Sequence, residues 1–207
     1  MTQLSSARAG NITPEMKQVA LREDVSPEFV LNGVAAGTIV IPRNSKRVNV
    51  TPVGIGAGLR TKVSASIGLY GRKAAIPSEL AKIRAAVEAG TDSLMDLSVS
   101  GDIDAMRKEV LALTPKPVGT LPLYQACAEA GEKYGSSAKM KVEELFEVIE
   151  RHAADGTDFL ALHCGTTMEI VERAKKDGRI DPLVSYGGSH LIGWMLYNQA
   201  ENPLYTH

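Results

Sequence analysis

The sequence predicts an α/β protein built on parallel strands. Three observations predict it. From about residue 60 onward, strand-like runs alternate with amphipathic helical runs through about five units. Residues 1–58 have a different texture, in which two capped helices, one short β-branched strand and a loop rich in Asn, Arg and Gly predict a small α+β segment. The 207 residues are enough for one sizeable core or for part of a larger one. Alternation of this kind means right-handed crossovers between parallel neighbours. A (β/α) barrel and a doubly wound open sheet share the rhythm. No GxGxxG follows the first strand and no GxxxxGK[ST] occurs, which weakens a dinucleotide or P-loop reading.

The elements follow in order. "NITPEMKQVALRED" opens a helix with Thr13 as N-cap and Pro14 in the first turn, and "SPEFVLNGVAAG" repeats that logic with Ser26 and Pro27, stopping at Gly33 or Gly37. "TIVIPRN" is a short strand ended by Pro42. In the repeating region, "TKVSASIG" reads as a strand and "IPSELAKIRAAVEAG" as a helix with Leu80, Ile83 and Val87 on one face. "DSLMDLS" is a strand, "DIDAMRKEVLAL" a helix capped by Asp102 or Asp104, and "PVGTLPLY" a strand. "KVEELFEVIERHAADG" carries Val142, Leu145, Phe146 and Ile149 at helical spacing. The strand "DFLALHCG", the helix "TMEIVERAKKDG", the strand "PLVSYGG" and the helix "SHLIGWMLYNQ" complete the pattern.

Composition narrows the function. Net charge is −1, with 23 basic and 24 acidic residues well mixed, which argues against nucleic acid or an anionic membrane as the main partner. No apolar run approaches the roughly 20 residues of a membrane span, and the polar N-terminus does not read as a secretory signal, so a cytoplasmic protein is expected. Cys127 and Cys164 form neither a CxxC nor a zinc spacing.

In a barrel, polar groups at the C-terminal strand ends converge on one mouth. Those ends offer Ser64 and Ser66, then Met95, Asp96 and Ser98, then Pro122, Leu123 and Tyr124. The fourth offers His163, Cys164 and Gly165, and the fifth Ser185, Tyr186, Gly187 and Gly188. Each has a plain structural explanation: a satisfied histidine, a packed methionine, an aspartate capping its own loop. Their clustering at one end of successive strands favours a site. The "SYGGSH" turn is an anion-binding candidate, because small residues expose N–H groups and the following helix, expected from Ser189, adds its dipole. His152 is expected to be surface or satisfied.

Eight ordered segments carry a resemblance over essentially the whole chain: "MTQLSSARAGNITPEMKQVA", "GTIVIPRN", "GIGAGLRTKV", "MDLS", "VGTLPLYQA", "DGTDFLALHCG", "SYGGS" and "ENPLYTH". Together they resemble the front part of the phosphomethylpyrimidine synthase (ThiC) family. The resemblance implies a (β/α) barrel of which about five of eight units are present, with residues 1–58 as an N-terminal segment and 59–207 as the first part of the barrel. It implies a radical S-adenosylmethionine lyase that rearranges 5-aminoimidazole ribonucleotide to hydroxymethylpyrimidine phosphate for thiamin. A relative in the same group, 5-hydroxybenzimidazole synthase, uses the same substrate, and a non-catalytic half-barrel that binds a ribonucleotide or a partner is a third reading.

By the same resemblance Met95, Tyr124, His163, Ser185, Tyr186 and Gly187 match substrate-binding positions, with His163 holding the ribonucleotide and the glycine after Cys164 leaving room. Ser66 stands where the family usually has Asn, Tyr186 where it has Arg, and "SVS" where it has "STG". S-adenosylmethionine, a 4Fe–4S cluster and possible zinc are implied as cofactors, with the metal ligands outside this chain. The chain alone is therefore expected to be incompetent, and to depend on a homodimer or on a further C-terminal half.

Overall fold

The structure is a computed structural model, and it describes residues 2–71, 75–181 and 183–207. Its N-terminal unit contains α1 (Gln3–Arg8), α2 (Pro14–Glu23) and α3 (Pro27–Ala36). The expected caps form: the Thr13 side chain accepts from the Met16 N–H and that of Ser26 from the Phe29 N–H. Gly37, in the left-handed region, stops α3. Strands β1 (Ile39–Val40) and β2 (Ile55–Gly56) pair antiparallel beside them. Met16, Val19, Val30, Val34 and Ile39 form the unit's own core.

The rest is α/β, with a parallel four-stranded sheet in the order of the chain. Strands β3 (Ser64–Ile67), β4 (Ser93–Asp96), β5 (Val118–Thr120) and β6 (Phe159–Leu160) pair in sequence. Helices α4 (Ile76–Glu88) and α5 (Ile103–Leu113) cross over between the first three, as expected of an incomplete (β/α) barrel. Between β5 and β6 run α6 (Pro122–Tyr134), a short 3₁₀ turn (Ser137–Lys139) and α7 (Val142–Asp155). After β6 come α8 (Met168–Asp177), α9 (Tyr186–Asn198) and α10 (Pro203–Thr206).

Two expected elements differ. "PVGTLPLY" is a strand only to Thr120; Pro122 then starts α6, where its missing N–H costs nothing in the first turn. "PLVSYGG" makes no strand among the described residues: Pro182 lies outside them, residues 183–185 are irregular, and Ser185 already caps α9. The fifth unit is thus represented by its helix, which begins at Tyr186 and not at Ser189.

Strand alternation sorts the sheet into two faces. Ala65, Ile67, Leu94 and Val118 pack with Ile83 of α4 and with Met106 and Val110 of α5. Ser64, Ser66, Ser93, Met95 and Gly119 therefore occupy the opposite, inner face. Beneath α6, α7 and α9 lies another apolar cluster, including Leu123, Leu145, Leu191, Trp194 and Met195. Each such fully buried side chain stabilises the fold by about 1.5–3 kcal/mol.

The Asn- and Arg-rich loop pins the N-terminal segment to the N-terminal ends of the strands. Just before β6, the Asp158 carboxylate accepts from the Asn44 and Val118 N–H groups at 2.9 and 2.8 Å and pairs with Arg47. Just before β4, Asp92 accepts from the Val63 N–H at 2.8 Å and pairs with Arg60. A cleft of about 900 Å³ also opens at this end, lined in part by Gln3, Glu15, Arg43 and Asp158. The opposite end carries the candidate site.

Candidate functional site

Ser66 and Met95 are register partners on adjacent strands, side by side on the inner face, with Ser66 exposed and Met95 half-buried. Asp96 points to the helix side. It is 4% exposed, and one oxygen accepts from both the N–H and the hydroxyl of Ser98, at 3.0 and 2.5 Å. The Ser98 hydroxyl accepts in turn from the Leu69 N–H, so Asp96 braces the loops that follow β3 and β4. Burial raises its pKa, and the Ser98 hydrogen bonds offset only part of that. Glu79 of α4 contributes to the same brace by accepting from the Gly68 N–H at 3.0 Å.

Tyr124, expected at a strand end, sits instead in the first turn of α6, about one turn beyond the end of β5 at Thr120. That turn is held by the next residue. Gln125 is buried and accepts from Arg107 at 2.7 Å and from His152 Nε2 at 2.8 Å. It donates to Asp104 and Glu129 at 2.9 and 2.8 Å. His152, expected to be surface or satisfied, is buried and satisfied: its Nδ1 lies 2.8 Å from the Thr120 hydroxyl.

His163 follows β6 and meets the start of α9. Its Nε2 lies 3.4 Å from the Ser185 hydroxyl, which also caps α9 by accepting from the Gly188 N–H. Its Nδ1 is buried and has no hydrogen-bond partner among the described residues. Burial lowers the imidazole pKa, which favours the neutral ring. A buried nitrogen without a partner is costly, so Nδ1 marks a hydrogen bond that the described residues leave unmade.

An aromatic wall completes this part of the site. The Tyr124 ring lies 6.3 Å from the His163 ring and 4.9 Å, edge-on, from the Tyr186 ring. Gly187 passes so close that a Cβ there would meet Tyr124 Cε1 at 2.8 Å. A Cβ on Gly165 would meet nothing within 4 Å, so the space beside it is open, whereas Gly187 is the glycine packed tightly against protein atoms. The structure thus brings Tyr124, His163, Ser185, Tyr186 and Gly187 together, and sets Ser66 and Met95 on neighbouring strands of the inner face.

The sequence reading missed Asn202. It is fully buried, and its amide donates to the His163 and Thr166 carbonyls at 2.8 and 2.9 Å while its Oδ1 accepts from the Leu204 N–H. It fastens the His163 loop to the last helix. The Asn-Pro pair in "ENPLYTH" was the available signal.

Among the described residues, no group of three or more His, Cys, Asp or Glu side chains is placed to hold a metal ion. Cys127 is buried on α6, its thiol pushed up to about 12 by desolvation, and Cys164 is exposed. Two cysteines do not supply the three thiolates of a radical-type cluster. Among the described residues, no helix is long and apolar enough to cross a membrane.

Known proteins match this arrangement along its whole length. A 5-hydroxybenzimidazole synthase BzaA of Moorella thermoacetica is 74% identical over 207 residues, all of this chain and 48% of the relative. A phosphomethylpyrimidine synthase of the same organism is 52% identical over 207 residues, again all of this chain and 48% of the relative. Its 5-hydroxybenzimidazole synthase BzaB is 53% identical over 205 residues, 99% of this chain and 48% of the relative. The chain spans about half the length of these curated relatives. The model of the radical SAM ThiC family matches residues 2–207, and the chain belongs to that family.

Proposed function

We propose that this chain is the substrate-binding part of a radical S-adenosylmethionine enzyme that takes 5-aminoimidazole ribonucleotide, with 5-hydroxybenzimidazole as the product. The observation that carries the binding role is His163. A half-buried neutral imidazole with an unpartnered nitrogen faces an aromatic wall and a helix start, which suits a flat heterocycle attached to an anionic group.

In this reading the His163 ring turns on binding, so that the covered and unpartnered Nδ1 exchanges one hydrogen bond with the substrate. Tyr124 and Tyr186 flank the heterocycle, and the first N–H groups of α9 face the phosphate. Ser66 and Met95 line the inner face of the sheet beside it. The thiolates for the cluster, and with them turnover, come from outside these residues. We place the enzyme among carbon–carbon lyases that work in the cytoplasm.

The product assignment is supported by the identity difference within one organism, 74% to the benzimidazole enzyme against 52% to the pyrimidine enzyme. Tyr186 supports it too: an aromatic ring replaces the guanidinium that the family pattern leads one to expect, trading a bidentate phosphate donor for a flat wall. Rearrangement to the thiamin pyrimidine is the second reading, supported by the 52% relative over the same residues. Titration of the full-length protein with 5-aminoimidazole ribonucleotide tests the binding role. Saturable binding that His163→Ala weakens at least tenfold is expected, and equal binding by the two proteins would refute it.

A further inference from the structure

Near the N-terminal end of α9 stands another histidine beside the aromatic wall. His190 is half-buried, and its Nδ1 lies 2.7 Å from the Ser137 hydroxyl of the 3₁₀ turn. Its ring packs on that of Tyr186, with centroids 4.5 Å apart and planes tilted by 57°. It is the first of three side chains, four residues apart, that hang α9 on residues 136–140. Trp194 donates to the Met140 carbonyl at 2.6 Å and Asn198 to the Ala138 carbonyl at 2.9 Å. Trp194 and Asn198 fasten the helix. His190 alone of the three also touches a wall of the site.

We propose that His190 is a positioning residue: held by Ser137 on one side and packed on Tyr186 on the other, it fixes the Tyr186 ring edge-on to Tyr124 and thereby sets the wall against which a planar heterocycle docks. Tyr186 needs such a support. It stands at the first position of α9, 38% exposed, where a long side chain otherwise samples several rotamers. Contacts on two sides, Tyr124 at 4.9 Å and His190 at 4.5 Å, leave one orientation. Histidine suits the task because it combines a flat face for Tyr186 with a ring nitrogen for Ser137. Phenylalanine would keep the face and lose the hydrogen bond; glutamine would keep the bond and lose the face.

The inference rests on the substrate class proposed above, so its test reads the ring as well as the ligand. In the full-length protein, 3-fluorotyrosine is placed at position 186 and its fluorine resonance is followed in wild type, His190→Ala, His190→Phe and His190→Gln. Affinity for 5-aminoimidazole ribonucleotide is measured on the same four proteins without the label. His190→Ala should move the resonance toward the solvent-exposed value and weaken binding by about threefold to tenfold, the range expected from one aromatic contact. His190→Phe should restore both more fully than His190→Gln. Wild-type resonance and wild-type affinity in His190→Ala would overturn the proposal. Should that variant fail to fold, Phe and Gln decide: a wild-type resonance in both overturns it, and displacement in Gln alone supports it. If the wild-type protein does not bind the ribonucleotide, the substrate reading fails, while the fluorine resonances still decide the positioning role.

Discussion

Gly187 and His163 approach more closely than any side chain on residue 187 would permit: a Cβ there would lie 2.4 Å from His163 Cε1 and 2.8 Å from His163 Nε2. The start of α9 is therefore built around the imidazole. Gly187→Ala should push His163 off its position and weaken ribonucleotide binding by at least tenfold. Overpacking of this kind also costs about 1–3 kcal/mol of stability. Titration and a thermal melt check both. Unchanged binding would mean that the imidazole shifts without consequence.

His163→Ala should abolish turnover in the full-length enzyme while leaving the fold nearly untouched. The ring makes one long hydrogen bond, at 3.4 Å, and leaves Nδ1 unpartnered, so little native stability depends on it. A loss below about 1.5 kcal/mol is expected in denaturant titration. A loss above about 3 kcal/mol would identify His163 as a structural histidine instead.

His152 should make stability pH-dependent in a window that reaches above that of the carboxylates. Burial, with the nearby Arg107 charge, pushes its pKa down to about 3 from an ordinary 6.5. Between those values the unfolded chain binds a proton that the folded chain does not, so stability is full above pH 6.5 and falls as pH drops toward 3. Asp104 behaves differently: burial alone would raise its pKa, but hydrogen bonds from Gln125 and Arg107 bring it down to about 2. Its contribution is present above its ordinary value near 4 and is lost as pH falls from there through 2. Melting temperatures from pH 7 to 4.5 should decline in wild type and flatten in His152→Gln. Equal slopes would contradict the assignment.

Asp158→Ala should destabilise the junction between the N-terminal segment and the sheet by about 3–5 kcal/mol, because it strands a buried arginine. Arg47 has a side chain only 9% exposed, and besides Asp158 it reaches the carbonyls of Leu111 and Lys116, both at 3.1 Å. Replacing both residues with apolar side chains should cost less than the single change. A double-mutant cycle measured by chemical denaturation checks this.

The parts of the fold legible in the sequence were those with local signals. Thr13–Pro14, Ser26–Pro27 and Asp102 announce helix starts with caps whose partners lie three residues on, and all three form. Helix α6 was hidden because Leu121 makes no side-chain cap and the alternation in "PVGTLPLY" imitates a strand. The loop after β6 was legible as a strand end carrying His163. Convergence of strand ends and the family resemblance put Ser185 and Tyr186 at the same mouth, but the contacts themselves were not legible: the Ser137–His190 hydrogen bond spans 53 residues. Asn202 reaches back 39 residues to the His163 carbonyl. Such pairings depend on how α9 and α10 pack over α6 and α7, and no local pattern encodes that.

The most direct measurement is the identity of the product. The full-length protein, reconstituted anaerobically and supplied with 5-aminoimidazole ribonucleotide, S-adenosylmethionine and a reductant, is assayed by chromatography with mass detection. The account predicts 5-hydroxybenzimidazole, formed as the ribonucleotide is consumed and lost in His163→Ala. Hydroxymethylpyrimidine phosphate in its place would contradict the account.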